Sequence, residues 1–241
     1  AYSNGGTPMA YGPFLGGISS SVKPVKASTL PWKGSKVIPV ARFADCFANP
    51  GKVIDFNGTK VTYPEVRLVM WAGGNPFAHQ PDTMNLERAW KKPETVIVTD
   101  TVWTATARHA DIVLPAATAF EHADITNIGT YSNDGIVAMQ QAIEPQWESK
   151  SDYWIFSQLA EHLGCQEAFT EGLDEMGWIR RLYGDAQKMG ERIGVKLPNF
   201  EDFWKKGYVL FDVRENDRKF VAFADFRKDP KAHSLDTESG L

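Results

Sequence analysis

Three short apolar runs constrain this chain more than any other feature. They are Val66-Arg67-Leu68-Val69-Met70-Trp71, Thr95-Val96-Ile97-Val98 and Asp111-Ile112-Val113-Leu114. The first is followed by Gly73-Gly74 and the third by Pro115, residues that end regular structure. Runs that are apolar nearly throughout suit a parallel sheet covered on both faces, because a half-solvated strand would alternate with polar residues. Helical segments separate them. Asp82 is placed to cap a stretch carrying Met84, Leu86 and Trp90, Pro93 breaks it, and a short helix is expected around Thr104–His109. The expected fold class is α/β: a doubly wound, mostly parallel sheet with helices on both faces, plus irregular N- and C-terminal extensions.

Around these runs, Val40–Ala48 has helical spacing in Val40, Phe43 and Phe47. Lys52–Tyr63 reads as a hairpin turning at Asn57-Gly58, a pair suited to positive φ angles. Ile125–Ile128 and Ile136–Met139 are expected as short irregular strands. Asp152–Leu163 is an amphipathic helix with Ile155, Phe156, Leu159 and Leu163 on one face, capped by Ser151 and ended by Gly164. Leu173–Ile193 is helical but interrupted by Gly177, Gly184 and Gly190; Asn199 caps a last helix, and Phe220–Phe226 is expected as a strand. The chain then divides into a connecting segment over 1–39, a nucleotide-cofactor-binding α/β domain over 40–165 and a helical extension with linker over 166–241. Ala1–Ser35 is rich in Gly, Ser and Pro without an initiating Met or a signal-peptide pattern, and Ala232–Leu241 is polar, so both ends read as cuts through a longer chain.

Composition excludes several function classes. A formal net charge of -4 gives no electrostatic reason to bind nucleic acid or an anionic membrane, and no apolar run approaches the roughly 20 residues of a bilayer-spanning helix. Cys46 and Cys165 have no CxxC partner, so cysteine builds no zinc or iron–sulfur site here; two free, buried thiols are expected. His109 with Asp111 and His122 with Asp124 resemble metal pairs but have no third ligand at useful spacing, and are read as structural. Trp32, Trp71, Trp90 and Trp103 are read as core or loop packing.

In open parallel sheets, ligands bind beyond the carboxyl ends of the strands. Two loops there are chemically suited. Ala72-Gly73-Gly74-Asn75-Pro76-Phe77-Ala78-His79 offers glycines that admit close backbone approach, an amide at Asn75 and a ring nitrogen at His79. Thr99-Asp100-Thr101 follows the next strand, where an acidic residue can accept from ribose hydroxyls or a purine edge. A plain turn and a plain helix cap are the alternative readings of these two stretches. The chain has neither GxGxxG nor a Walker loop, which disfavours a hydride-transferring dehydrogenase.

Trp71-Ala72-Gly73-Gly74-Asn75-Pro76-Phe77 and Trp103-Thr104-Ala105-Thr106-Ala107-Arg108-His109-Ala110-Asp111-Ile112-Val113-Leu114-Pro115 closely resemble segments of the molybdopterin-dependent dimethyl sulfoxide, trimethylamine N-oxide and biotin sulfoxide reductases. The order of Gly73-Gly74-Asn75-Pro76, Val96-Ile97-Val98-Thr99-Asp100, Tyr131-Ser132-Asn133-Asp134 and Ser151-Asp152-Tyr153 matches that family over 40–165, and Thr237–Leu241 resembles the junction before its C-terminal domain. The resemblance implies an internal segment, the third domain, gripping the guanosine end of one dinucleotide of bis(molybdopterin guanine dinucleotide)molybdenum. By matching positions, Asn75 and His79, beside Gly74, would line phosphate or ribose, and Thr99 with Asp100 the nucleoside. Asp152 would accept from the guanine N–H groups, or else merely extend the Ser151 cap, and Ala116 would touch the cofactor through its backbone. The implied reaction is oxygen-atom transfer from a small S-oxide or N-oxide, with the metal ligand in an earlier domain outside this chain and no catalytic residue within it. The implied partners are the remaining domains of the enzyme and an electron-donor cytochrome. The implied location is the periplasm, or the cytoplasm for the biotin sulfoxide branch. The alternatives are a stand-alone nucleotide-binding module, or another molybdopterin enzyme such as a formate dehydrogenase or nitrate reductase.

Overall fold

A computed structural model describes residues 2–5, 36–56, 59–127, 135–192, 194–211, 221, 223–235 and 239–240. The turn Asn57-Gly58, Trp32, Ile128, the segment Tyr131–Asp134 and most of the closing Thr237–Leu241 lie outside the described residues. The described residues form two compact units, the first comprising those within 2–5, 36–116 and 229–240, the second those within 117–228.

In the first unit, strands β1 (Tyr2–Gly5) and β2 (Lys36–Pro39) pair in parallel. A 3-10 turn at Val40–Arg42 leads into α1 (Phe43–Ala48), and β3 (Val53–Phe56) pairs antiparallel with β4 (Thr59–Thr62), as the hairpin pattern predicts. The three apolar runs become β5 (Leu68–Ala72), β6 (Thr95–Asp100) and β7 (Ile112–Pro115), a parallel sheet in the order β5-β6-β7. The α/β class with its parallel sheet therefore holds. The first connection carries α2 (Pro76–His79) and α3 (Thr83–Trp90), with Asp82 capping α3 by accepting from Asn85 N–H at 3.1 Å. The second carries a 3-10 turn at Ala107–His109.

One face of this sheet is closed by an aromatic core. Val69, Val96 and Val98 pack with Phe43, Phe47, Leu86, Ala89, Trp90 and Ala107. The Trp90 ring centroid lies 5.6 Å from that of Trp71 and 5.3 Å from that of Phe77, and its indole N–H donates to the His109 carbonyl at 2.9 Å. That bond satisfies the polar atom that burial of a tryptophan would otherwise strand. Trp71 and Trp90 are thus core residues as expected, whereas Trp103 is exposed. Side chains alternate across a strand, so Leu68, Met70, Ile97, Ile112 and Leu114 project to the opposite face. None of them belongs to a buried cluster of the described residues.

The second unit is built differently. The two stretches expected as irregular strands form β8 (Asp124–Asn127) and β9 (Gly135–Met139), joined by β10 (Tyr208–Leu210) in an antiparallel sheet of order β10-β9-β8. Ile125, Ile136 and Ala138 from this sheet pack against Ile179, Tyr183 and Ala186 of α6 (Glu175–Arg192) and Phe203 of α7 (Phe200–Lys206). Strands before residue 165 therefore share a core with helices after it. Helix α6 is continuous despite its glycines. At Gly190 an added Cβ would stand 2.5 Å from the Val195 carbonyl oxygen, so glycine permits a close chain crossing rather than breaking the helix.

Helix α4 (Asp152–His162) is capped by Ser151, whose Oγ accepts from Trp154 N–H at 3.1 Å, and Gly164 follows it at φ +71°. Its buried residues are Ile155 and Ala160. Leu163 lies beyond the last helical residue and is exposed, correcting its expected place on the apolar face. After α5 (Gln166–Thr170) and α7, the segment expected as a strand over Phe220–Phe226 instead contains a helix, α8 (Ala224–Lys228); among the described residues it has no strand partner. Both cysteines are free, but only Cys46 is buried; Cys165 is exposed because it follows the α4 terminus. Among the described residues, no helix is long and apolar enough to cross a membrane.

Candidate functional site

Ala72 pairs with Thr99, so the sheet register puts Gly73-Gly74 just past the carboxyl end of β5. Gly73 and Gly74 take φ angles of +68° and +75°, a pair of left-handed residues that L side chains rarely adopt. Gly73 N–H donates to the Thr99 carbonyl at 3.3 Å, tying the turn to the central strand. An added Cβ would meet nothing within 4 Å at Gly73, and at Gly74 would meet His79 Nε2 and Trp71 Nε1 at 3.9 Å. The glycines therefore serve the turn's conformation and leave its backbone open to approach.

Asn75 precedes α2, whose first residue is Pro76. Its Oδ1 accepts from Thr106 Oγ1–H at 2.7 Å and Thr106 N–H at 3.3 Å, and Phe77 N–H donates to Thr106 Oγ1 at 3.4 Å. Buried Thr106 thus fastens the glycine loop to the turn after β6. The Asn75 carbonyl is committed to this link, and its amide N–H groups are what it has for a ligand. His79 ends α2 and is exposed. The Phe77 ring stacks on the His109 imidazole with centroids 4.0 Å apart.

Thr99 and Asp100 are the last two residues of β6 rather than a loop after it, because Leu114 and Pro115 of β7 extend the ladder alongside them. Thr99 is buried, and its Oγ1 has no hydrogen-bond partner among the described residues. The Asp100 carboxylate accepts from Thr101 N–H and Thr104 Oγ1–H, each at 2.8 Å, while Thr104 Oγ1 accepts from Ala107 N–H at 3.2 Å. Asp100 is therefore the keystone of the next loop. Ala116 is buried, and its N–H donates to the Asp100 carbonyl at 3.0 Å, leaving its own carbonyl as the backbone group for a contact.

These six residues, Gly74, Asn75, His79, Thr99, Asp100 and Ala116, gather at the carboxyl ends of β5, β6 and β7 in the first unit. Asp152 belongs to the second. It is the first residue of α4, exposed, on the positive end of the helix where a carboxylate is favourable. It lines a cavity of about 270 Å³ with His122, Ser151, Tyr153, Glu175 and Trp178. Ser151 Oγ, which caps α4, also hydrogen-bonds Glu175, so the cap role rests with Ser151 and the Asp152 carboxylate has no hydrogen bond among the described residues.

The two His/Asp pairs work on backbone. His109 Nδ1 faces the Ala105 carbonyl at 2.7 Å and Asp111 accepts from Val96 N–H at 2.8 Å. His122 Nδ1 faces the Ala123 carbonyl at 3.1 Å and Asp124 accepts from Ile125 N–H at 2.7 Å. Among the described residues no group of three or more His, Cys, Asp or Glu is placed to hold a metal ion.

Two residues escape sequence reasoning. Thr106 lies within the matched motif but carries no signal of its own as a fastener. Glu121 is only 5% exposed, yet its carboxylate accepts from Thr118 N–H and Gln146 N–H at 2.7 Å. Those backbone donors, Thr118 first, hold it below the usual carboxylate range. The signal was available. Thr118-Ala119-Phe120-Glu121 has the S/T-x-x-E spacing in which a glutamate reaches back to the backbone N–H three residues earlier.

The sequence profile "Molybdopterin oxidoreductase" matches residues 21–162. The chain belongs to the molybdopterin oxidoreductase family. It is 53% identical over its whole length to "Dimethyl sulfoxide/trimethylamine N-oxide reductase" of Cereibacter sphaeroides, covering 29% of that protein. It is 44% identical to "Trimethylamine-N-oxide reductase" of Haemophilus influenzae, with 99% of the chain and 29% of the relative aligned. This member of the family therefore spans less than a third of the length of the curated relatives it matches. Among solved structures, acetylene hydratase from Pelobacter acetylenicus covers 95% of the chain at a TM-score of 0.55 and 18% identity, over 28% of its own length, a likeness of fold. Membership implies a molybdenum–pterin cofactor.

Proposed function

We propose that this chain is the part of an S-oxide or N-oxide reductase that grips the guanosine end of a molybdopterin guanine dinucleotide. The observation carrying this reading is the pair of left-handed glycines beyond β5, with open space at the Gly73 Cβ position and only van der Waals contact at that of Gly74, in a chain of this family. That cradle fits a phosphate or ribose approaching the backbone. Buried Thr99 Oγ1, without a described partner beside the turn, fits the same group as a hydroxyl donor or acceptor.

When bound, the cofactor supplies two-electron oxygen-atom transfer, while the protein binds, orients and tunes it. In this proposal the residues of the chain do the holding. Asn75 offers its amide N–H groups to a phosphate or ribose oxygen while its carbonyl keeps the loop fastened to Thr106. His79, across from Gly74, offers a ring nitrogen to the same end of the ligand. Asp100 shapes the β6 loop through Thr104 and Thr101, and its remaining lone pairs face the nucleoside, as does Thr99. Ala116 contributes its backbone carbonyl, and Asp152 accepts from the guanine N–H groups.

The proposed substrates are small S-oxides or N-oxides, by likeness to relatives named as dimethyl sulfoxide and trimethylamine N-oxide reductases. The proposed partners are the remaining domains of the enzyme and an electron-donor cytochrome, and the proposed location is the periplasm. Three assays on the full-length enzyme test this reading: molybdenum and guanine-nucleotide content, viologen-linked reduction of trimethylamine N-oxide and dimethyl sulfoxide, and cell fractionation. The expected result is both activities in the periplasmic fraction, with cofactor lost in Asp100→Ala and Asp152→Ala. An enzyme without molybdenum, or full cofactor occupancy in both variants, contradicts it.

A further inference from the structure

The cavity at the head of α4 holds two polar groups that the fold leaves unused. Three carboxylates line it. Asp124 accepts from Ile125 N–H and Glu175 hydrogen-bonds Ser151, which leaves Asp152 without a hydrogen bond among the described residues. The second unused group is a donor. Trp178, in the first turn of α6, lines the same cavity, and its indole N–H is buried with no hydrogen-bond partner among the described residues.

A buried tryptophan N–H usually has a partner, as Trp90 has in the His109 carbonyl, because stranding it forfeits its hydration. The nearby acceptor is committed elsewhere. Burial pushes the Tyr153 phenol up and the neighbouring Trp178 N–H offsets part of that push. The phenol gives its own proton to the Leu173 carbonyl at 2.5 Å, however, and the indole does not meet it with hydrogen-bond geometry. The Trp178 ring is nonetheless held in place. The Arg181 guanidinium carbon lies 4.9 Å from its centroid, and Arg181 is itself paired with Glu171.

An accepting carboxylate and a fixed donor on one small cavity describe the edge of a base. Guanine carries its O6 acceptor next to the N1–H and N2–H donors, whereas adenine presents an amino donor where guanine has O6. We infer that Trp178 completes the guanine site, giving its N–H to O6 while Asp152 accepts from N1–H and N2–H, and so selects guanine over adenine. The inference rests on the cofactor reading above and names its specificity-determining donor. Ala123 and Leu182 supply apolar wall, and the cavity's 270 Å³ lies just below the roughly 300–1,000 Å³ of drug-sized sites, room for a single base. The indole nitrogen keeps almost no open surface, so the base reaches it by pressing the Tyr153 phenol aside.

Replacing Trp178 by β-(3-benzothienyl)alanine in the full-length enzyme exchanges N–H for sulfur within nearly the same outline. The rate at which guanine nucleotide is lost in dilute urea is read on the cofactor-loaded enzyme, and the melting temperature on enzyme made with and without cofactor. Loss should be about three- to tenfold faster without the donor, as expected for one hydrogen bond. Melting should fall in the loaded enzyme alone; without cofactor it should hold or rise, since an unpaired buried donor has gone. If that variant does not fold, the rate of nucleotide loss from Trp178→Phe decides the matter. An unchanged rate overturns the inference. So does an equal fall of melting temperature in both forms, which would assign the N–H to a partner inside the protein. An unaltered enzyme without guanine nucleotide sinks the cofactor reading and this inference together, whereas nucleotide present but lost at the same rate sinks this inference alone.

Discussion

The strand-end loops of the first unit and the head of α4 in the second use their polar side chains in opposite ways. Asn75 and Asp100 are already engaged with Thr106, Thr101 and Thr104, so they build the loops from which ligand contacts are made. Asp152 stands exposed at a helix N-terminus whose capping is done by Ser151. One region supplies shape; the other supplies a free carboxylate. A substitution at Asn75 should therefore disturb fold and binding together, and a substitution at Asp152 binding alone.

The largest effect should come from beneath the loops. Trp90→Ala removes a 3% exposed indole from the aromatic core and its bond to the His109 carbonyl, and should cost about 3–5 kcal/mol. Chemical denaturation of the full-length enzyme checks this, with loss of bound cofactor expected alongside. Next, Asn75→Ala, which strands the buried Thr106 hydroxyl, and Thr106→Val, which removes one donor to half-buried Asn75 and the acceptor of Phe77 N–H, should each cost about 1–3 kcal/mol. The double variant should cost little more than either single one. Simple additivity in that cycle would break the contrast drawn above, since the two side chains would then not act as one fastener.

A third prediction concerns acid. Glu121 is held below the usual carboxylate range by the Thr118 and Gln146 N–H groups, so its folded pKa lies under its unfolded one. Its contribution is present above the unfolded carboxylate value of about 4.3 and is lost as pH falls through the folded value. Glu121→Gln should therefore lower the melting temperature at neutral pH, and the gap to the unaltered enzyme should close in acid. A gap independent of pH would show that the carboxylate charge is not what clamps this loop. Smallest of all, Asp152→Asn should change stability by less than about 0.5 kcal/mol, as expected of an exposed site. Guanine-nucleotide retention should nonetheless fall.

Much of this was legible in the sequence, for identifiable reasons. Val96, Ile97 and Val98 form a run of β-branched residues that reads as a strand, and Asp82, Ser151 and Asn199 all cap the helices they precede. Glycine turns before proline marked the strand-end loop. What was hidden depends on contacts distant along the chain. Even a nearby contact can be hidden: Gly190 looks like a helix breaker until the Val195 carbonyl oxygen, just past the helix end, is seen 2.5 Å from its Cβ position. The Asn75–Thr106 link joins residues 31 apart in sequence, and nothing in either local pattern announces it. The strands β8 and β9 looked irregular because the helix that buries Ile125 and Ile136 lies some fifty residues downstream, near Ile179 and Tyr183.

The central claim is that the Gly73-Gly74 turn and Asp152 hold the nucleotide end of the cofactor. The ratio of bound guanine nucleotide to protein, measured on the full-length enzyme with Gly74→Val and Asp152→Ala beside the unaltered protein, tests it most directly. The account predicts a reduced ratio in both variants: valine is strained at a φ of +75° and closes the backbone approach, and the second substitution removes the acceptor for guanine. An unchanged ratio in both folded variants would contradict it.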